Sequence, residues 1–434
     1  MRKSVLIFLA FEAALIGLWL LADSLYLNPF DQQKFGISFT QISGIIAIST
    51  MAFSTLLAVR PIWLEDMLGG LDKMYRLHKW QSIFATIVAV AHWLLASSPN
   101  GHGGHVTSDA ASGTQDWLSS LEGPAHGVAQ PALWILLALV AVALIKKVPY
   151  HIFALTHRAV PVIFLVLVFH SIVLAKPDYW KQPVGWIFGL VSLVGSVAAI
   201  IALFRLIGAR RKIGAKIVSK AYISDVKSLL VELQMDDGWK GHTPGQFAFV
   251  SLRKSWKVHP FTIASNWDPK TKRISFIVKE LGDTTTALDA RLAVGTELVV
   301  EGPYGRFVFQ DRKKRQIWIS AGIGVTPFVA RMKELSRVAG EHQVDLFHSD
   351  VHEESPAYEL LREDAKKGGV TLHLVVTPRD GRLTGEKIRV TVPNWKDASI
   401  WFCGPSRFAA ALKLDLLRNG LKSADFHHEL FEMR

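Results

Sequence analysis

A single cysteine, Cys403, stands among 434 residues. An iron–sulfur cluster needs several thiolates, a covalently attached haem needs a Cys-x-x-Cys-His run, and an internal disulfide needs two partners, so all three are excluded. No Asp-x-Asp-x-Asp-Gly calcium loop is present. The formal charge of +12 includes no long basic run and no aromatic-laced basic stripe in the polar half of the chain, which argues against nucleic acid as a partner. Lysine and arginine are also missing from the whole stretch between Ala96 and Gln130. Elsewhere they flank apolar runs: Arg2 and Lys3 precede the first, Arg60, Lys73 and Arg76 follow the second, Lys146, Lys147 and Arg158 border the fourth, and Arg205, Arg210, Arg211 and Lys212 follow the last.

Half of the residues are hydrophobic, and the long apolar runs all end near Leu206. Runs at 4–22, 37–59, 77–97, 129–146, 157–175 and 184–207 predict six membrane helices. The positive-inside rule then puts both termini in the cytoplasm and the 96–130 loop, free of lysine and arginine, outside, as in a multi-pass cell-membrane protein. The first run has the basic start of a signal peptide, but its apolar stretch is too long for one, so it reads as a retained helix. Beginning near residue 4, it leaves no room for an N-terminal regulatory module, and the expectation is a constitutive protein.

Four histidines fall inside two of these runs. His78 and His92 lie in LHKWQSIFATIVAVAHWLL, and His157 and His170 in THRAVPVIFLVLVFHSIVL, with gaps of 14 and 13 residues. Such gaps correspond to about 20 Å along a helix axis. Ionisable side chains inside membrane spans are rare and usually functional. A lone histidine there would more simply hydrogen-bond a neighbouring helix. Two pairs at one spacing point instead to metal centres stacked across the membrane, and neutral imidazole ligates haem iron well. His78 with His157, and His92 with His170, are therefore the candidate metal ligands of two bis-histidine b-type haems. Fourteen residues bring a helix nearly back to the same face, whereas thirteen do not. Pro161 is expected to kink or overwind the second span and so supply rotation. The tract Gly101-His102-Gly103-Gly104-His105, with His126, lacks a carboxylate or cysteine to complete a metal set and reads as a polar loop.

Beyond Lys212 short, partly alternating segments such as 228–234 and 274–280 end in turn residues, the pattern of antiparallel sheet. Among them lie Gly245-Gln246-Phe247, the run His259-Pro260-Phe261-Thr262-Ile263-Ala264-Ser265, Gly282-Asp283-Thr284-Thr285 and Gly302-Pro303-Tyr304-Gly305. Gln316 to Ser320 reads as a buried strand leading into Ala321-Gly322-Ile323-Gly324-Val325-Thr326-Pro327 and a helix. A glycine turn between strand and helix lets backbone amides approach a pyrophosphate.

In the order and spacing of these motifs the chain resembles the ferric reductase and NADPH oxidase superfamily over nearly its whole length. The resemblance implies a multi-domain membrane protein: a six-helix transmembrane haem domain at 1–210, an antiparallel FAD-binding β-barrel at 211–311, and an α/β Rossmann-like NAD(P)H domain of ferredoxin-NADP reductase type at 312–434. It also implies that His259, Pro260, Phe261 and Thr262 lie along the flavin of FAD, with Ser265 following, and that Gly282 and Thr285 meet its pyrophosphate. Gly322, Gly324, Thr326 and Pro327 would form the nicotinamide nucleotide turn. Cys403, Gly404 and Pro405 would end the strand beside the nicotinamide, and Phe431 would cover the isoalloxazine ring; Cys403 and Phe431 are the catalytic candidates.

One departure concerns the nucleotide. Members that select NADPH usually carry an arginine after the second strand of the nucleotide domain. Here Val344 to His348 is followed by Ser349-Asp350-Val351-His352-Glu353-Glu354. Those carboxylates would repel a 2′-phosphate, although Arg379 and Arg382 could approach from another loop. The implied reaction takes a hydride from NAD(P)H to FAD, then single electrons through the inner and outer haems to an outer-face acceptor. Dioxygen, giving superoxide, leads; a ferric chelate, or an extracytoplasmic redox partner supplied by this chain as a membrane subunit, stays open. A haem sensor with a vestigial flavin domain is disfavoured by the intact nucleotide turn.

Overall fold

A long apolar run can satisfy its backbone in lipid only by winding into a helix or closing a barrel, and the first half of the chain is helical. The computed structural model describes residues 2–23, 32–98, 116–253, 258–280, 288–338, 340, 342–352 and 355–429. The chain divides into two compact units, Met1–Ile207 and Gly208–Glu432.

The first unit comprises α1 (Arg2–Asp23), α2 (Gln32–Ala58), α3 (Ile62–Leu68), α4 (Leu71–Ala96), α5 (Asp116–Leu144), α6 (Tyr150–Thr156), α7 (Val160–Val173) and α8 (Pro183–Leu203). Among the described residues five stretches, not six, are long and apolar enough to cross a membrane: Val5–Asp23, Lys34–Ala58, Ser120–Leu144, Tyr150–Val173 and Pro183–Leu203. The expected third span, 77–97, does form a helix, the 26-residue α4. It falls short because Asp72, Lys73, Arg76, His78, Lys79 and Gln81 all fall in its first half and His92 interrupts the rest.

Packing in this unit is close. Trp19, Ile45, Ile48, Phe164, Leu167 and Phe188 share one buried cluster drawn from α1, α2, α7 and α8. Gly195 of α8 permits the approach, since a Cβ there would lie 2.6 Å from the Ala52 Cβ and 2.8 Å from the Phe164 ring. Leu6, Leu21, Trp186, Leu190 and Leu193 face outward and are exposed, as befits helices that turn apolar side chains toward lipid.

The second unit opens with a six-stranded sheet. Its strands are β1 (Lys212–Ile223), β2 (Ser228–Met235), β3 (Phe247–Leu252), β4 (His259–Thr262), β5 (Arg273–Lys279) and, after the short helix α9 (Leu288–Arg291), β6 (Glu297–Tyr304). They pair antiparallel in the order β4-β3-β6-β1-β2-β5, and a bridge from Ile263 to Phe276 links the two ends. Alternate residues point inward: Leu229, Val231 and Leu233, and likewise Ile274, Phe276 and Val278, pack in one core with Val300.

There follow β7 (Arg315–Ala321), α10 (Thr326–Leu335), β8 (Gln343–Asp350), α11 (Pro356–Lys367), β9 (Thr371–Val376), α12 (Thr377–Asp380), α13 (Gly385–Thr391), β10 (Ala398–Cys403), α14 (Ser406–Arg418) and β11 (Phe426–His428). The five strands are parallel, in the order β11-β10-β7-β8-β9. Side-chain alternation divides two cores. Ile317, Ile319, Ile400 and Phe402 join Ile388 and Leu412 on one face, and Trp318 and Trp401 join Phe328 and Leu361 on the other. Helices on both faces of a parallel sheet are the doubly wound arrangement, whose ligands bind beyond the carboxyl ends of the strands. β8 runs to Asp350, two residues past the expected end of the second strand at His348.

Candidate functional site

The four histidines meet in the expected pairs. The rings of His78 and His157 have centroids 6.3 Å apart with planes at 82°, and those of His92 and His170 lie 6.3 Å apart at 78°. Two metal–nitrogen bonds of about 2.0 Å each, plus the distance from each ring nitrogen to its ring centre, account for such a spacing. Only the interval from His157 to His170 departs from an uninterrupted helix. His157 begins a 3₁₀ turn, His157–Ala159, placed between α6 and α7. A 3₁₀ turn winds about 120° per residue against 100° in an α-helix, and so recovers part of the rotation that thirteen residues lack. The expected agent, Pro161, occupies the first turn of α7. There it interrupts no helical hydrogen bond and marks the restart of the helix rather than a kink within it.

Hydrogen bonds select the tautomer. Nδ1 of His78 lies 2.8 Å from the Ser54 carbonyl oxygen, Nδ1 of His92 3.0 Å from that of Thr40, and Nδ1 of His170 2.9 Å from that of Ala125. A carbonyl can only accept, so each Nδ1 carries the proton and each Nε2 keeps its lone pair. Such outer-shell bonds orient a ligating imidazole and raise its basicity. Gly44 gives His92 its room, because a Cβ there would stand 3.1 Å from the ring's Cε1. The donor set fits two six-coordinate haem irons. Among the described residues no group of three or more His, Cys, Asp or Glu side chains could hold another metal ion. His102 and His105 lie outside the described residues, and His126 has its ring 6.4 Å from that of His170.

The flavin candidates fall on the antiparallel sheet and the turn that follows it. His259, Pro260, Phe261 and Thr262 form β4. Phe261 leans on Phe276, with centroids 6.3 Å apart. Ser265 is fixed twice: its Oγ accepts from the Ser275 amide at 3.0 Å, and its carbonyl accepts from His242 Nε2 at 2.8 Å. Burial pushes His242 down to about 4, so near neutral pH the ring is an uncharged donor. Gly282, Thr285 and Phe431 lie outside the described residues.

The nucleotide candidates gather at the carboxyl ends of β7 and β10. Gly322 to Val325 make a 3₁₀ turn and Gly322 has φ 54°, a left-handed conformation that favours glycine. Gly324 is packed on β10, where a Cβ would fall 2.2 Å from the Cys403 carbonyl oxygen. Thr326 Oγ1 donates to the Ile323 carbonyl at 2.8 Å, and Pro327 lies in the first turn of α10. Gly404 abuts Ala321, and Pro405 precedes α14. Burial, and then the Glu429 carboxylate, push the Cys403 thiol well above its ordinary range, so it stays protonated. Asp350 ends β8 and accepts from the Val351 amide at 2.7 Å and pairs with His352 at 3.2 Å. Glu353 and Glu354 lie outside the described residues. Arg379 is engaged by Asp380 through two bonds of 2.8 and 2.9 Å.

Sequence reading missed three kinds of residue. The carbonyl anchors of the histidines carry no side-chain signature, although Thr40 and Ser54 repeat the 14-residue gap of His78 and His92. Lys279, at the end of β5, brings its Nζ to 4.0 Å from the Cβ position of Gly322 and places a cation over the turn from 43 residues away. Glu429 approaches both Cys403 and Gly305, contacts that no local motif announces.

Comparison with known proteins agrees with this division. Residues 43–168 match the family described as ferric reductase like transmembrane component, and residues 215–308 match an FAD-binding domain. A flavohemoprotein of Deinococcus radiodurans is 25% identical over 40% of this chain and 47% of its own length. Respiratory burst oxidase homolog protein E of Arabidopsis thaliana is 27% identical over 45% of this chain and 23% of its own. The chain spans about half the length of most curated relatives it matches. Among solved structures, a Malassezia yamatoensis flavohemoglobin superposes with a TM-score of 0.49 at 18% identity, covering 93% of this chain and 99% of that one. A ferric-reductase-like transmembrane component joined to an FAD-binding domain matches the ferric reductase and NADPH oxidase superfamily.

Proposed function

We propose that the protein is a transmembrane oxidoreductase that moves electrons from cytoplasmic NAD(P)H to dioxygen at the outer face, releasing superoxide. Its parts would be a haem domain at 1–210, a flavin domain at 211–311 and a nucleotide domain at 312–434, with both termini cytoplasmic. Bound FAD would supply the exchange between two-electron hydride chemistry and one-electron transfer, and two b-type haems the path across the membrane.

The chain's own residues do the positioning. His78 and His157 would hold the inner haem, and His92 and His170 the outer. With each metal held by two histidines, an acceptor would be reduced without binding the metal itself. Thr262 and Ser265 would line the flavin, Gly322 and Gly324 would let backbone amides approach the nucleotide's pyrophosphate, and Lys279 would neutralise part of its charge. Cys403, held as a neutral thiol, would border the nicotinamide with no charge of its own, and Phe431 would close over the flavin ring.

The observation that supports this reading most is the equal 6.3 Å spacing of the two histidine pairs in a chain that also carries the FAD-binding domain. Purified protein with FAD, offered dioxygen, ferric chelate and quinone separately, tests it. Oxygen-dependent NAD(P)H oxidation with superoxide release is expected. Negligible turnover with all three would instead mark a subunit that feeds an outer-face redox partner.

A further inference from the structure

A short segment, 305–311, carries the chain from the antiparallel sheet to the parallel one, and it is gripped at both ends. On the antiparallel side Gln246 Nε2 donates to the Gly305 carbonyl at 3.3 Å. Gly245, at φ 95°, approaches so closely that a Cβ would fall 1.7 Å from the Phe307 carbonyl oxygen. Phe307 and Phe309 then enter a core on the parallel sheet beside Trp318, Phe328 and Trp401. At the far end Asp311 Oδ2 accepts from Ser399 Oγ, Gln316 Nε2 and Trp401 Nε1 at 2.6, 3.0 and 3.1 Å, and its Oδ1 accepts from the Lys313 amide at 2.7 Å. Hydrogen bonds to a carboxylate are roughly twice as strong as neutral ones, and several together fix its direction.

Gln316 and Ser399 stand at the amino ends of β7 and β10, whereas Gly322 and Gly404 lie at the carboxyl ends, where the nucleotide turn is. From Gln316 to Gly322 the chain runs about 20 Å, so a tilt of roughly 3° at the amino end moves the turn by about 1 Å. A misplacement of that size can cost about 100-fold in rate. Another tie between the two sheets, Arg337 to Asp268 at 3.2 Å, has a half-exposed guanidinium, and exposed ion pairs hold geometry weakly.

We infer that Asp311 is a positioning residue for hydride transfer, which fixes the angle between the two sheets and with it the distance from nicotinamide to flavin. This rests on the electron-transfer function proposed above. In that step the hydride leaves the nicotinamide with both electrons of its C–H bond, and the flavin is reduced by two electrons. Asp311 touches neither partner and acts only through the joint.

Nitroxide labels on Lys270→Cys, beside the antiparallel sheet, and Lys366→Cys, in α11, read the joint in the full chain by double electron–electron resonance, with or without cofactors. Both positions are exposed and the native thiol of Cys403 is only 3% exposed, so labelling is selective. Asp311→Asn, which leaves one acceptor oxygen in place of two, should widen the label distance distribution. Its NAD(P)H-driven dye reduction, normalised to bound FAD, should fall about 10- to 100-fold in kcat with KM held within about threefold. The primary deuterium isotope effect on kcat should rise as hydride transfer becomes limiting. Ser399→Ala, which removes a single donor, should move all of these the same way by less, and Arg337→Ala should move none. A merely structural role would lower flavin content and leave the isotope effect of the remaining enzyme alone. An unchanged distribution or an unchanged isotope effect in Asp311→Asn, or equal changes in Arg337→Ala, would overturn the inference. Wild-type protein that binds no FAD, or reduces no dye from NAD(P)H, would defeat the proposed function first, and this inference with it.

Discussion

A methyl group on Gly324 would stand 2.2 Å from the carbonyl oxygen of Cys403. The turn that opens α10 is thus seated directly on the last residue of β10, with no space for a side chain between them. Gly324→Ala should force the two apart, at a cost of about 1–3 kcal/mol for overpacking. NAD(P)H-dependent dye reduction should show a raised KM or lost turnover in this variant. Gly17→Ala, where nothing lies within 4 Å, should leave it unchanged. Equal activity in both would mean that the turn does not hold the nucleotide.

The histidine pairs predict separable defects. Replacing His92 or His170 by alanine should remove one haem while the other stays reducible from NAD(P)H, and delivery to an outer-face acceptor should fall to a few per cent or less. His78→Ala or His157→Ala should instead stop transfer at the flavin and leave diaphorase activity toward soluble dyes. Two haems per chain in both His92→Ala and His78→Ala, with transfer unimpaired, would refute the assignment.

His348 should make stability depend on pH. Its side chain is 4% exposed and its Nδ1 lies 2.9 Å from Ser320 Oγ. Burial pushes it from 6.5 down to about 4, against the opposing pull of Asp350. The folded state therefore resists a proton that the unfolded chain accepts. Its contribution is intact above about pH 6.5 and is lost as pH falls toward 4, at up to about 1.4 kcal/mol per pH unit. Thermal melts of wild type and His348→Gln between pH 4 and 8 should converge at the acid end; parallel curves would exclude this histidine as the source.

Nucleotide choice is expected to be weak. Asp350 stands at the end of β8, and Arg379 is already bound by Asp380. A 2′-phosphate would meet one carboxylate and would have to compete with another for its arginine. NADPH and NADH should differ by less than a hundredfold in kcat/KM, about 2.7 kcal/mol at roughly 1.4 kcal/mol per decade. A larger preference for NADPH would show that a basic residue elsewhere captures the phosphate.

Because Gly208–Glu432 forms its own compact unit, a fragment of residues 213–434 should be soluble and bind FAD. It should reduce an artificial acceptor with NAD(P)H while holding no haem. A folded fragment without flavin would count against the domain assignment.

Much of this was legible in the residues themselves. Apolar runs located the spans, period-two alternation located β2 and β5, and the glycine turn located the start of α10. What the sequence concealed was either main-chain or distant. Carbonyls of Thr40, Ser54 and Ala125 have no residue-type signal, and Lys279 reaches Gly322 only through the pairing of the sheet. The 3₁₀ turn at His157 was hidden as well, because proline marks an interruption without saying how the backbone winds around it. The span count differs at α4 because the proposed haem ligands His78 and His92 add to four charged side chains and Gln81 in diluting its apolarity.

The two anchors that α2 offers to α4 have a consequence for how this part of the chain can change over time. Thr40 and Ser54 meet His92 and His78 in antiparallel order, so the same fourteen-residue interval is written on both helices. Conservative exchanges within either interval leave the anchors in place. A one-residue insertion or deletion inside either interval turns everything beyond it by about 100° and removes one histidine from its carbonyl. Lineages descended from this chain should therefore keep the interval length more strictly than residue type, Gly44 beside His92 and Ala52 beside Gly195 excepted, unless both helices change length together.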